Sequence, residues 1–212
     1  MRGEGEHTGK TPIWALYLVS RLAPAFVLFS LIMFQGCAAG PGIVASEVSA
    51  SIGSGKVEKV PFYPQVSFQC GPACLAGVLN FFGEGVTPDE IAEAIFRRDI
   101  RGTVTLDMAL YARKRGFCAE WYNGSVEDIR SSVDERAPLI VMVDFGFANV
   151  RKNHFMVVVG YTPQGVIANS GKTHEKLISW EYFLARWNRT KRWTLRIEQK
   201  TASSTGKTLR RR

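Results

Sequence analysis

Residues 69–83 read QCGPACLAGVLNFFG, and this stretch decides the start of the fold. Its large apolar side chains recur at the three- and four-residue intervals of one helix face: Leu75, Val78, Leu79 and Phe82. This spacing predicts a buried helix over residues 71–82, and Gly83 favours its end. Cys70 then stands where the helix begins.

A cysteine at a helix N-terminus has a specific chemistry. The unpaired N–H groups of the first turn carry partial positive charge, which favours the thiolate form of Cys70. Gly71 removes a side chain beside the sulfur and leaves room for a substrate backbone, while Pro72 costs the first turn no hydrogen bond. The competing interpretation is a buried structural cysteine, which is the usual role of this residue.

The rest of the chain alternates, with helices first and strands later. Thr87, Pro88 and Glu90 form the sequence signature of a capped helix start. Helices are predicted from Thr87 to Arg97 and over 106–115, 126–134 and 178–187, and strands over 117–122, 139–143, 154–161, 166–168 and 192–198. A turn at residues 162–165 makes 154–168 an antiparallel hairpin. The pattern predicts an α+β class, with a helical first half packed on an antiparallel sheet.

Histidine is scarce, and His154 is the one placed for chemistry. It opens the apolar strand HFMVVVGY, where an activated thiol could find a base within hydrogen-bond reach. Asn169 ends the next strand and is the candidate to orient the imidazole. A symmetric hairpin, however, would place His154 opposite about residue 173, so twist or an asymmetric turn must close the gap. Gln65, in an extended segment before the helix, is the candidate side-chain donor to an oxyanion, together with the Cys70 N–H.

Charge and cysteine spacing exclude other functions. The 212 residues carry a net charge of +8, but residues 37–198 hold 19 basic and 17 acidic side chains. The folded part is therefore nearly neutral, which argues against a nucleic-acid partner. No pair of Cys or His has metal-ligand spacing, so neither a metal site nor a cofactor is predicted. Cys74 and Cys118 are predicted to be packing residues, with a disulfide between them left open.

The first 36 residues have the parts of a secretory signal. A basic region ends at Arg21, an uncharged run covers residues 22–34, and Cys37 follows Gly36. This arrangement resembles a bacterial lipoprotein signal and implies acylation of Cys37. The alternative is a membrane-anchoring helix over residues 13–34. Either reading places the remainder outside the cytoplasm, on a bacterial membrane. For a lipoprotein in an organism with two membranes, the periplasmic face of the outer membrane is favoured.

The predicted organisation therefore has four parts. Residues 1–36 are a signal peptide, 37–57 a small-residue, Gly/Ser-rich flexible tether, 58–198 the folded domain and 199–212 a basic disordered tail.

Three motifs together resemble a known family. They are VPFYPQ at 60–65, QCGPAC at 69–74, and His154-Phe155 with Gly160-Tyr161. They look like the papain-like cysteine peptidases that process double-glycine bacteriocin leaders, family thirty-nine of the cysteine peptidases, over about residues 58–172. The chain is similar to stand-alone lipoprotein members, because its sequence contains no transporter domain.

The resemblance implies a role for each site residue. Cys70 would be the nucleophile, His154 the base, Asn169 the orienting residue and Gln65 the oxyanion donor. Two positions depart from the family pattern. Gln65 stands one residue closer to the cysteine than in transporter-borne members, and Asn169-Ser170 stands where the family usually has Asp-Pro.

The implied function is a membrane-anchored thiol peptidase acting on a peptide or protein substrate. Two alternatives stay open. One is a non-catalytic member that binds a peptide or envelope partner, and the other is a thiol acyltransferase or amidase acting on peptidoglycan peptides.

Overall fold

The computed structural model describes residues 53–65, 69–99 and 102–200, and five helices and nine strands lie in these ranges. The helices are α1 Cys70–Phe81, α2 Pro88–Ile95, α3 Thr105–Lys114, α4 Val126–Asp134 and α5 Trp180–Asn188. The strands are β1 Gly55–Lys56, β2 Phe96–Arg97, β3 Gly102–Thr103, β4 Phe117–Asn123, β5 Leu139–Asp144, β6 Asn153–Thr162, β7 Gly165–Ser170, β8 Thr173–Ser179 and β9 Trp193–Gln199.

Seven of the strands form one antiparallel sheet. Six of them follow the order β4-β9-β5-β6-β7-β8, and β1 also pairs with β6. Strands β2 and β3 form a separate hairpin. Helices α1 and α4 contact β6, α3 contacts β4, and α5 contacts β5, β7 and β8. The predicted α+β class, with early helices on an antiparallel sheet, is confirmed.

Local sequence signals set the helices. Helix α4 has the predicted bounds, and the Thr87–Glu90 capping box at the start of α2 is present in both directions. Helix α2 ends at Ile95, before the predicted Arg97, because Phe96 and Arg97 leave the helix to pair with β3. Leu75, Val78 and Leu79 of α1 are fully buried in the core, as their spacing predicted, while Phe82 follows the helix and is partly buried.

The long central hairpin is β6–β7, and it has the predicted turn. Thr162 pairs with Gly165, and the hydroxyl of Thr162 accepts hydrogen bonds from the N–H groups of Gln164 and Gly165. Both strands extend beyond their predicted bounds, so the ladder continues toward residue 170.

Four strands were not predicted: the short pair β2 and β3, and strands β8 and β1. Strand β8 includes Ile178 and Ser179, which the sequence placed in a helix, and α5 begins only at Trp180. Strand β1 lies inside the predicted tether, where Gly55 pairs with Tyr161 and Lys56 with Gly160.

The boundaries of the folded domain therefore shift slightly. The prediction of a tether through residue 57 is wrong for its last residues, since Val57 is buried and its N–H donates to the carbonyl of Val159. At the other end Gln199 still pairs with Phe117. The predicted signal peptide, Cys37, the tether up to residue 52 and the tail from residue 201 lie outside the described residues.

Candidate active site

The Cys70 thiol lies at the first residue of α1, surrounded by main-chain donors. Gln69, the N-cap residue, makes no side-chain hydrogen bond to the helix start within the described residues, so first-turn N–H groups remain available. The N–H groups of Phe155, Gly71 and Cys70 itself donate to the sulfur. Burial raises the pKa of this thiol, and the three N–H groups offset part of that rise. Cys70 is thus a neutral thiol at neutral pH, in a pocket of donors.

The imidazole of His154 is held at the second residue of β6. Its Nε2 lies 3.2 Å from Oγ of Ser170, and its ring lies 5.3 Å from the ring of Phe145. Burial, and secondarily the positive charge of Lys152, lower the pKa of His154 to about 4. The imidazole is therefore neutral at physiological pH. In the tautomer whose Nε2–H donates to Ser170, the free lone pair of the ring lies on Nδ1.

Cys70 and His154 are both placed near the beginning of β6. Phe155, whose N–H donates to the sulfur of Cys70, directly follows His154 in the strand. Among the described side-chain hydrogen bonds there is none between Cys70 and His154. The two groups are brought to the same strand end as neutral partners.

Strand alternation separates Asn169 from His154. Val157 pairs with Asn169, so the two share one face of the sheet, and that face is opposite to the face of His154, three residues earlier. Ser170 is the next residue in β7 and lies on the same face as His154. Its hydroxyl, rather than the Asn169 amide, is the partner of the imidazole in the described structure. The sequence analysis missed Ser170, because the residue of β7 that shares the face of His154 depends on a one-residue shift in the register.

A β-bulge sets this register. In the hairpin, Tyr161 pairs with Val166, but the pairing shifts by one residue between Val158 and Gly160. The turn itself is symmetric, so the asymmetric turn offered by the sequence analysis is absent, and the bulge moves the position opposite His154 by only one residue. That shift brings Ser170 diagonally across from His154 and leaves Asn169 facing away.

Gln65 reaches the site but bridges strands there. Its Oε1 accepts a hydrogen bond from the N–H of Gly171, and its Nε2 donates to the carbonyl of Phe155 at 3.4 Å and to Sγ of Cys74 at 3.3 Å. A primary amide has two donor hydrogens, and both are committed. The carboxamide thus connects the main chain of β6 to that of the β7–β8 turn, where the two strands are not paired directly. To act as an oxyanion donor, it would have to break these hydrogen bonds.

The space beside Gly71 is occupied by protein. A Cβ at this position would lie 2.9 Å from Cβ and 3.0 Å from Oγ1 of Thr103. The prediction that Gly71 leaves room for a substrate backbone is therefore wrong, because β3 packs against the start of α1 there. Thr103 fixes the helix start beside the thiol.

The other described cysteines are unpaired. Cys74 is buried in the core, as predicted, and Cys118 is half-buried in β4 with a free thiol. A disulfide between them is not formed. Within the described ranges, no group of three or more His, Cys, Asp or Glu side chains could hold a metal ion. No helix in that part of the chain is long and apolar enough to cross a bilayer.

A helix that begins at a cysteine and packs on an antiparallel sheet is the fold of papain-like cysteine peptidases. The family model described as Peptidase_C39-like matches residues 57–195. The chain therefore belongs to the Peptidase_C39-like family. No curated protein matches the chain.

Solved structures share the fold at low sequence identity. A C39-like peptidase from Bacillus anthracis superposes with a TM-score of 0.59 at 16% identity, covering 71% of this chain and 100% of that chain. The peptidase domain of Streptococcus ComA, a bifunctional ABC transporter of a quorum-sensing pathway, gives 0.56 at 23% identity, covering 67% and 100%. A double-glycine-motif protease from an AMS/PCAT transporter, in complex with a leader peptide, gives 0.56 at 24%, covering 69% and 95%. These similarities show a common papain-like fold.

Proposed function

We propose that this protein is a thiol peptidase in which Cys70 is the nucleophile and His154 the general base and acid. One observation carries the proposal: the Cys70 sulfur, at a helix N-terminus, accepts a hydrogen bond from Phe155, the residue that follows His154. Family membership supports the same chemistry.

The resting state dictates how the reaction begins. Both groups are neutral at pH 7, because burial raises the pKa of the thiol and lowers the pKa of the imidazole. Nδ1 of His154 takes the Sγ proton as the sulfur attacks the peptide carbonyl carbon, forming the C–S bond. The imidazolium then gives that proton to the leaving amine as the C–N bond breaks. Water, deprotonated by the same nitrogen, hydrolyses the thioester and frees the thiol.

The main chain supplies the charge stabilisation. The N–H groups of Cys70 and Gly71 already converge near the sulfur, where negative charge develops on the carbonyl oxygen during attack. These donors belong to the rigid first turn of α1, so they require no reorganisation. Gln65 becomes a further oxyanion donor when its amide rotates away from the carbonyl of Phe155.

A peptide is the substrate class that we propose. One structural neighbour is a double-glycine-motif protease in complex with a leader peptide, and this chain shares its fold.

The test is cleavage of a mixture of synthetic peptides, including sequences ending in Gly-Gly, by the full-length chain, followed by mass spectrometry. Cys70→Ala and His154→Ala should each lower the rate at least about 100-fold. Cys118→Ala is the matched control, because this thiol is free but lies in β4, and it should leave the rate unchanged.

Two results would contradict the proposal. Binding without cleavage by the unmodified chain would indicate the non-catalytic alternative. Cleavage only of peptidoglycan-derived amides would indicate the amidase alternative.

We also propose that Cys37 is acylated and holds the domain at a bacterial membrane, outside the cytoplasm. The support is the sequence alone: a basic region, an uncharged run of 13 residues and a cysteine directly after a small residue. An alkyne-bearing fatty acid fed to expressing cells should label the chain, and Cys37→Ala should remove the label. Labelling that persists in Cys37→Ala would contradict this anchor.

A further inference from the structure

We propose that Ser170, and not Asn169, is the positioning residue that orients the imidazole of His154, and that Asn169 has a structural role in the sheet. This inference rests on the proposed function, because it concerns how the general base is held. It changes the third member of the catalytic set from an amide to a hydroxyl.

The first support is the contact itself. Oγ of Ser170 lies 3.2 Å from Nε2 of His154, within hydrogen-bond range, and both side chains project from the same face of the β6–β7 hairpin. Ser170 is the last residue of β7, where its side chain reaches diagonally toward the beginning of β6. Alternation along the strand gives Asn169 the opposite face.

The second support is that Asn169 is engaged elsewhere. Strand β8 carries an extra residue opposite Asn169, since Ala168 pairs with Lys176 whereas Ser170 pairs with Thr173. Within this bulge Glu175 adopts a φ of 49°, and its N–H donates to Oδ1 of Asn169 at 2.9 Å. The amide therefore satisfies the main-chain donor that the bulge leaves without a ladder partner.

Burial fixes Asn169 in this role. The residue is 3% exposed, and within the described residues its Nδ2 has no hydrogen-bond partner. Turning the amide toward His154 would take Oδ1 from the N–H of Glu175 and leave that donor buried without a partner. A buried donor without a partner is unfavourable, and this opposes the rotation.

At this position a hydroxyl affects the imidazole differently from a carboxylate. Oγ of Ser170 accepts the Nε2–H of His154 and thereby leaves Nδ1 unprotonated for the thiol, but it brings no charge to stabilise an imidazolium. The surroundings of His154 favour a neutral imidazole. The positive charge of Lys152 lowers its pKa, and the ring of Phe145 lies 5.3 Å away. Burial also keeps the thiol of Cys70 neutral. In such a pair the proton passes from the thiol to the imidazole during the attack, and no thiolate is present beforehand.

The test introduces the same carboxylate at the two neighbouring positions. In the full-length chain, the pKa of His154 is measured by NMR titration, and the reactivity of Cys70 by its iodoacetamide rate against pH. Ser170→Asp should raise the pKa of His154 by about 1–3 pH units and move the Cys70 rate profile to lower pH. Asn169→Asp, which keeps an acceptor for the N–H of Glu175, should leave both unchanged.

The opposite pattern, in which Asn169→Asp moves both readouts and Ser170→Asp neither, would overturn the inference. If Asn169→Asp fails to fold, Asn169→Ser replaces it, since a hydroxyl still accepts from the N–H of Glu175. A shift of the His154 pKa in Asn169→Ser, together with an unshifted Ser170→Ala, would equally reject Ser170.

Neither readout requires peptide cleavage. Should Ser170→Asp move the titration of His154 while no peptide is cleaved, the positioning role stands and the peptidase proposal fails. Where peptides are cleaved, Ser170→Ala should lower kcat about tenfold with little change in KM, the size expected for one neutral hydrogen bond.

Discussion

The two ends of β6 differ in the groups that form hydrogen bonds with their main chain. At the paired end, residues 158–162, Gly160 is paired with Lys56 of β1 on one side and with Ile167 of β7 on the other. Neighbouring strands therefore supply the hydrogen-bond partners of the main chain there. At the open end, residues 153–156, β5 pairs on one side only. There the N–H of Phe155 donates to the thiol of Cys70 and its carbonyl accepts from Gln65.

The difference explains where the site lies. A buried main-chain group must find a partner, and a ladder that stops leaves groups that only side chains can satisfy. The open end therefore collects polar and reactive side chains, whereas the paired end serves stability alone. Substitutions at the two ends should affect different measurements.

The largest effect is expected at the paired end, from Gly165→Ala. A Cβ there would lie 1.9 Å from the carbonyl oxygen of Ile178, so β7 and β8 would have to separate. We expect a loss of about 3 kcal/mol or more in the free energy of unfolding, measured with urea. Gly53→Ala is the control, because a Cβ there meets nothing within 4 Å. Equal stability of the two variants would show that β7 and β8 are not paired as described.

At the open end, stability should depend on pH through His154. Its pKa is about 4 in the folded protein against about 6.5 when unfolded, so the unfolded chain binds the proton first as pH falls. Stability should therefore decrease from about pH 6.5 to pH 4, by at most about 3 kcal/mol. The measurement is the difference between unfolding curves of the unmodified chain and His154→Gln at each pH. Parallel curves for the two proteins would contradict the burial of this imidazole.

The smallest of the three effects concerns Gln65, the bridge at the open end. Gln65→Leu removes the side-chain hydrogen bonds to Phe155 and Gly171 and should lower the free energy of unfolding by about 1–3 kcal/mol. Gln65→Glu keeps the acceptor for Gly171 and should cost less. An unchanged stability of Gln65→Leu, combined with slower peptide cleavage, would instead identify Gln65 as a free oxyanion donor.

Local signals made much of this fold predictable. Helix α1 follows from its apolar spacing, α2 from the Thr87–Glu90 capping box and the β6–β7 turn from residues 162–165. Each of these depends on residues within a few positions of one another. The family motifs likewise predicted Cys70 and His154 as site residues, and the structure places both near the beginning of β6.

The missed elements lack a local sequence signal. Strand β8 reads THEKLIS, with most side chains exposed and a bulge at Glu175, so it lacks the alternation that marks a half-buried strand. Strand β1 has only two residues, and its pairing with Gly160 is more than 100 positions away in the chain. The choice between Asn169 and Ser170 required the exact register that a bulge near Val158 sets, and no short sequence pattern encodes that register.

The Gln65 bridge also has a consequence for the order in which the protein matures. Its partners Phe155 and Gly171 lie 90 and 106 positions away in sequence. Contacts that close such long loops form late in folding, and the N-terminal half leaves the ribosome well before residue 171 exists. A nascent chain thus exposes Cys70 before His154 and Phe155 have been synthesised. The candidate site is completed only after nearly the whole domain has left the ribosome.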